Sequence, residues 1–232
     1  YEANIIDLNE VDEVCWYENP SIKKDRVIKI FNKRPFRTFF NRIKFLKSFK
    51  KEKNPEYIIR KEWGYNGKIT FVDHHLSHAA FSYLTSPYKD AAILTVDGVG
   101  EWETVTISKG NGENIEKKLS INFPHSLGML YSTLTAYLGF KPNEGEYKVM
   151  GLAPYGNPGV YLNKLKTIFS HTDKKFKINQ KYFTWEYDDR IMFNKRFCNL
   201  LGIAPRLPEE PLLQEHKDLA AACQKLYELI SE

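Results

Sequence analysis

The sequence predicts a mixed α/β fold, and three observations carry that prediction. Short apolar, β-rich runs at 69–72 and 91–96 alternate with stretches of helical period. Asp-Gly and Gly-Asn-Gly turns separate consecutive strand-like segments after residue 90. Leu127, Leu130, Leu134 and Leu138 share one helical face, and Gly139 stops the series. At 232 residues, 42% of them hydrophobic, the chain can bury a core without staples.

Taken in order, residues 5–18 read as a loop running into a short buried strand. A basic helical insertion follows, about 20–62. Residues 23–53 hold thirteen Lys and Arg against Asp25 and Glu52, so they carry +11 of a chain whose net charge is +5. Phe31, Phe36, Phe39, Phe40, Ile43, Phe45, Leu46 and Phe49 recur there at three- and four-residue spacing, the period of a helix or helix pair. One reading is a surface for nucleic acid, a phosphate ligand or a membrane face. The preferred reading is a peripheral insertion whose Phe stripe packs on the body while its charges are solvated.

The turn Gly64-Tyr65-Asn66-Gly67 closes that region. Residues 68–73 read as a strand and 74–84 as a helix. Residues 91–96 have the unbroken apolar pattern of a strand buried on both faces. Asp97-Gly98-Val99-Gly100 turns into a second strand at 103–108, and Lys109-Gly110-Asn111-Gly112 into a third at 115–122. A helix at 126–139 follows, and 160–170 also reads as helical. Residues 174–187 read as short strands, 202–211 as a Pro-rich loop and 212–231 as a closing helix. Strand, Asp-Gly turn, strand, turn, strand, helix is the opening unit of an RNase H-like fold as used in actin-like ATPases. There the first hairpin cradles phosphate.

The chemistry gathers at Asp73-His74-His75-Leu76-Ser77-His78, where three of the six histidines fall within five positions. On a helix, His74 and His78 project from one face a turn apart and can close on one metal ion. His75 points about 100° away and is a poor third ligand, while Asp73 can orient a ring from behind. A carboxylate from elsewhere is required. A zinc-protease motif of the His-Glu-x-x-His kind is excluded, because His75 stands where the general base would be. The plain alternative is a set of partly exposed histidines at a helix start.

Glycines after a strand, as in Asp97-Gly98-Val99-Gly100, let backbone N–H groups approach a phosphate, and the carboxylate can hold a metal or a hydroxyl. Such turns also join ordinary hairpins. The segment Asn143-Glu144-Gly145-Glu146-Tyr147-Lys148-Val149-Met150-Gly151-Leu152-Ala153-Pro154-Tyr155-Gly156 can line a cleft, with Lys148 toward a phosphate or carboxylate. Its plain reading is a long ordered loop. Cys15, Cys198 and Cys223 lack a Cys-x-x-Cys, which disfavours a disulfide framework and favours a reducing, cytoplasmic setting. No apolar run nears the roughly 20 residues of a bilayer span.

Four blocks in order resemble the NodU/CmcH-type carbamoyltransferases over about residues 70–160. They are Asp73-His74-His75-Leu76-Ser77-His78-Ala79-Ala80, Thr95-Val96-Asp97-Gly98-Val99-Gly100-Glu101-Trp102, Phe123-Pro124-His125-Ser126-Leu127-Gly128, and the segment from Gly145 to Gly156. Lys217-Asp218-Leu219-Ala220-Ala221-Ala222-Cys223-Gln224 is similar to the family as well. Its two-domain, actin-like amino-terminal part is related to the enzymes that make threonylcarbamoyladenosine in tRNA. The resemblance implies that 1–88 ends a first RNase H-like lobe and that 89–232 is an incomplete second one.

It also implies ATP-dependent carbamoyl transfer. Carbamoyl phosphate becomes a carbamoyl-adenylate in a YrdC-like carboxy-terminal region, and the carbamoyl group passes to a hydroxyl of a small acceptor. His74 and His78 would be the metal ligands, for Fe2+ first, with Mn2+ or Zn2+ also compatible. Asp97, Gly98 and Gly100 would contact nucleotide phosphate or metal, and Glu146, Lys148 and Gly151 would line the nucleotide cleft. No catalytic residue is assigned. The third metal ligand is expected outside this chain, which opens Tyr1-Glu2-Ala3-Asn4 as a fragment would and alone is expected to be inactive. Neither membrane nor nucleic acid is an expected partner, and a homodimer is compatible. A metal-dependent hydrolase and a non-catalytic nucleotide- or anion-binding module are the competing classes.

Overall fold

The computed structural model describes residues 8–50, 54–172, 175–188 and 192–231. They divide into two compact units. The first takes the chain up to Thr95 and again over Gly100–Ser120; the second takes Val96–Val99 and everything from Ile121. Residues 5–7, 51–53 and 174, which the sequence reading included, lie outside the described residues.

In the first unit, β1 (Glu13–Trp16) pairs in parallel with β2 (Lys68–Phe71), Glu13 opposite Lys68 and Trp16 opposite Phe71. β1 is only partly buried, where a buried strand is expected; its ladder has a single neighbour. Parallel neighbours need a long crossover, and here it holds the basic segment. This segment folds as a helix pair, α1 (Pro20–Lys33) and α2 (Pro35–Phe49), then α3 (Pro55–Tyr57) running into a π turn at Ile58–Glu62. Asn19 and Asn54 cap α1 and α3 ahead of a proline, a strong helix-start signal.

Only half of the Phe stripe packs. Phe45 lies 6.1 Å from Phe31 and 5.4 Å from Phe49 between ring centroids. Phe36 is 99% exposed and Phe40 82%, with Phe39 and Ile43 exposed beside them. The expected packing fails on that face because α2 is apolar on more than the side it turns to α1.

Past β2 the chain enters α4 (His74–Leu84), then three strands that form one sheet in chain order: β3 (Asp90–Val96), β4 (Glu103–Asn111) and β5 (Asn114–Asn122). Ala79 and Tyr83 of α4 form a core with Ile93, Ala91 and Ile115. Gly110 permits this approach, since a Cβ there would fall 2.5 Å from the Tyr83 ring. Two sequence expectations change. β3 alternates, with Ile93 and Thr95 buried and Leu94 exposed, as a strand with one covered face does. β4 continues through Lys109-Gly110-Asn111, so Gly112, at φ +57°, makes the turn instead.

The second unit is built on α5 (Leu127–Tyr137), whose leucine series is buried as its period predicts. Gly139 ends it at φ +74°, and the Arg206 Nε donates to the Leu138 carbonyl at 2.6 Å. α6 (Glu146–Leu152) and a 3-10 turn at Ala153–Tyr155 occupy the stretch whose plain reading is a loop. Then come α7 (Leu162–Lys166), the antiparallel pair β6 (Phe169–Thr172) and β7 (Lys175–Ile178), α8 (Lys195–Leu201) and α9 (Gln214–Ser231). α9 packs on α5, α6 and α7, and Leu219, Ala220, Ala222 and Leu226 form its buried face.

The fold is mixed α/β. Its described strands make three small sheets, of two, three and two strands, where the RNase H-like reading expects a mixed sheet. No helix among the described residues is long and apolar enough to cross a membrane.

Candidate metal centre

Asp73 caps α4, its carboxylate accepting from the Leu76 amide at 2.9 Å. His74 and His78 therefore leave the helix one turn apart on one face. Their Nε2 atoms lie 3.1 Å apart, with ring planes at 88° and centroids at 4.6 Å. Two imidazole nitrogens at about 2.0–2.1 Å from one ion stand about 2.9 Å apart at a right angle and about 3.3 Å at the tetrahedral angle. The observed spacing falls within that window, so the donor set fits a divalent transition metal. His74 is half-buried and His78 exposed.

Several groups hold His74. The Tyr17 ring lies 5.6 Å away. Gly100 backs it closely: a Cβ there would stand 3.0 Å from its Cβ and Cδ2. Glu101, only 5% exposed, accepts from the His74 amide at 3.1 and 3.2 Å and from the Asn19 amide at 2.6 Å. Lys117 on β5 bridges Glu103 at 2.8 Å and Asp73 at 3.7 Å. Partial burial pulls its pKa down, but those two carboxylates outweigh burial and leave it above the ordinary value. Nearby, burial pushes the Arg26 guanidinium down to about 10, opposed by Glu18 and Glu101.

His75 faces the other way and is 1% exposed. Its Nε2 lies 3.0 Å from the Glu103 carbonyl, which can only accept, so Nε2 carries the proton. Its Nδ1 then accepts from the Thr95 hydroxyl at 2.6 Å, and that hydroxyl lies 2.7 Å from the Thr106 hydroxyl. His75 ties α4 to β3 and β4.

The other expected site residues, Gly100 apart, belong to the second unit. Asp97 is half-buried, and its carboxylate accepts from the Gly98 amide at 2.6 Å. The Gly98 carbonyl accepts from the Ser126 hydroxyl at 2.6 Å. Gly128 lets α5 come against this turn, since a Cβ there would fall 2.7 Å from the Gly98 nitrogen. Glu146 accepts from the Ser132 hydroxyl at 2.6 Å and from the Asn143 and Gly145 amides at 2.8 and 3.1 Å. Burial raises its pKa, yet those hydrogen bonds outweigh burial and leave it below the ordinary value. Ser126 caps α5 and Ser132 lies six residues further along it, so the turn and Glu146 meet that helix about 9 Å apart along its axis. Lys148 and Gly151 are exposed on α6. The Lys148 ammonium lies 5.8 Å from the Phe140 ring and 5.9 Å from the Tyr147 ring, and Gly151 has open space where a Cβ would be.

Glu101, Ser126 and Gly128 stand inside the motif blocks, which is the signal by which they could have been found. Tyr17 and Lys117 carry none.

The model of the carbamoyltransferase N-terminus family matches residues 6–230. The chain belongs to that family. An uncharacterized protein of Synechocystis is 38% identical to this carbamoyltransferase N-terminal region over 240 residues, covering 97% of the chain and 38% of that relative. Nodulation protein NolNO of Sinorhizobium fredii is 35% identical over 164 residues, covering 70% of the chain and 22% of the relative. Nodulation protein NolO of Bradyrhizobium diazoefficiens is 29% identical over 160 residues, covering 68% and 27%. This carbamoyltransferase N-terminal region thus spans well under half the length of the curated relatives it matches.

Proposed function

We propose that the chain is the metal-holding part of an ATP-dependent carbamoyltransferase built on the RNase H-like, actin-like plan. The reaction passes a carbamoyl group from carbamoyl phosphate, through carbamoyl-adenylate, to a hydroxyl of a small acceptor. The adenylate comes from a YrdC-like region of the longer protein. The observation that carries this reading is the 3.1 Å spacing of the His74 and His78 Nε2 atoms in a chain of the carbamoyltransferase family.

A divalent ion bound at the pair, Fe2+ in the first place, would supply Lewis-acid polarisation of the carbamoyl carbonyl. The chain's own residues do the rest. His74 and His78 offer their Nε2 lone pairs, so each ring carries its proton on Nδ1. Asp97 and Gly98, in the turn after β3, would contact nucleotide phosphate. On α6, Lys148 pairs with phosphate, Gly151 leaves room for the nucleotide, and Glu146 shapes the approach to both.

Metal analysis combined with carbamoyl-phosphate-dependent ATP consumption tests this on the full-length protein. The wild type is expected to carry about one ion per chain. His74→Ala with His78→Ala is expected to weaken metal binding at least about 100-fold, beyond the loss from removing an outer partner, and to abolish ATP consumption. A double variant with wild-type metal content and turnover would remove the pair from the site.

A further inference from the structure

We infer that Glu101 is a positioning residue for the metal pair, its buried carboxylate setting the start of α4 and so the placement of His74 relative to His78. This rests on the reading of His74 and His78 as metal ligands.

A buried carboxylate is stable only where donors surround it. Glu101 finds them on two elements far apart in sequence: the Asn19 amide at the cap of α1 and the His74 amide at the first residue of α4. The first four amides of a helix have no partner within it. At α4, Asp73 takes the Leu76 amide and Glu101 takes the His74 amide, so the first turn is closed by two carboxylates from different parts of the chain. Both bonds to Glu101 are charge-assisted and lie where the helix dipole favours an anion.

The two ligands differ in how much they need this. His78 sits in the second turn of α4, next to the buried Ala79 of the core. His74 is the first helical residue, the position that frays most readily. Gly100 and Tyr17 bound its ring, but neither fixes its backbone. Loss of the Glu101 bond frees that backbone and shifts one imidazole while the other stays. Glu101 therefore acts through the main chain of a ligand, without touching its ring.

The test is Co2+ titration of the full-length protein, with amide hydrogen exchange at His74 as a second readout. Glu101→Ala is expected to lower Co2+ affinity about 10- to 100-fold, the range for loss of a group that orients a ligand. It should also speed His74 exchange by about tenfold or more, with the α5 amides unchanged. Glu101→Gln keeps one acceptor oxygen at the same reach and should lose less than the alanine variant. Asn194→Ala removes the cap of α8 in the second unit and should leave Co2+ affinity at the wild-type level.

Unchanged affinity and unchanged His74 exchange in Glu101→Ala overturn the proposal, as does an equal loss of affinity in Asn194→Ala. If Glu101→Ala does not fold, Glu101→Gln decides: smaller shifts of the same kind support the proposal, and none overturns it. If the wild type takes up no Co2+, the metal reading fails. The positioning of His74 then stands or falls on exchange alone.

Discussion

The helix starts of α4 and α6 use their carboxylates in opposite ways. At α4 the stabilising acids lie outside the helix: Asp73 precedes it, and Glu101 arrives from the turn after β3. The imidazoles of His74 and His78 are left to meet each other at the surface. At α6 the acid is the first helical residue, and Glu146 turns back on its own approach loop through the Asn143 and Gly145 amides. What α6 leaves open is Lys148 and the bare surface at Gly151. A helix start supported from outside keeps its own side chains for a ligand. One supported from within offers only what lies further along.

The hardest blow to this contrast is His75→Ala. It removes a buried ring and leaves the Thr95 hydroxyl and the Glu103 carbonyl without it, so a loss of about 2–4 kcal/mol in urea unfolding is expected. A loss under about 1 kcal/mol would show that α4 is held in place by other means. Next in size, Gly100→Ala forces a Cβ against His74, and metal affinity should fall about tenfold with little change in stability. Wild-type affinity in that variant would mean that the ring is free to yield.

Glu146 tests the other side of the contrast. Its folded pKa is depressed, so its contribution to stability is present above its ordinary value and is lost as pH falls through it toward the lower folded value. As pH falls below the ordinary carboxylate value, Glu146→Gln should flatten the decline of stability with acid; an unchanged slope would show that those hydrogen bonds contribute nothing. The smallest effect belongs to Gly151→Ala, which should stabilise α6 by up to about 1 kcal/mol, since nothing crowds the position. If α6 lines a nucleotide cleft, the same change weakens ATP binding. Unchanged ATP affinity would take α6 out of that role.

Much of this was legible in the sequence where local signals agree. Asp73 before a run with helical continuation places α4, and the leucines from Leu127 to Leu138 with Gly139 place α5. The His74 and His78 juxtaposition follows from the helical period alone. α6 was obscured because glycines alternate with charged residues there, which reads plainly as an ordered loop; the Glu146 carboxylate satisfies the amides that a loop would have left to water. Glu101 lies inside a motif block, but its burial could not be read, because a glutamate in a turn looks solvated. Its burial comes from Asn19, a long way off in the chain. The Phe stripe shows the limit of periodicity, which reports that a face is apolar and not whether anything covers it.

The pairing of β1 with β2 has a kinetic consequence. The two strands meet across roughly fifty residues of intervening chain, and closing so long a loop costs about 3.5 kcal/mol of chain entropy. Four residue pairs of ladder offset part of that. The ladder depends on clasps at its ends: the Tyr65 hydroxyl, 3.1 Å from the carbonyls of both Val11 and Lys68, and Glu101 on the Asn19 amide. Such a pairing is expected to form late in folding and to open early. Opening of this ladder is expected to cost Glu101 its Asn19 partner before its His74 partner, which starts a helix packed into the core.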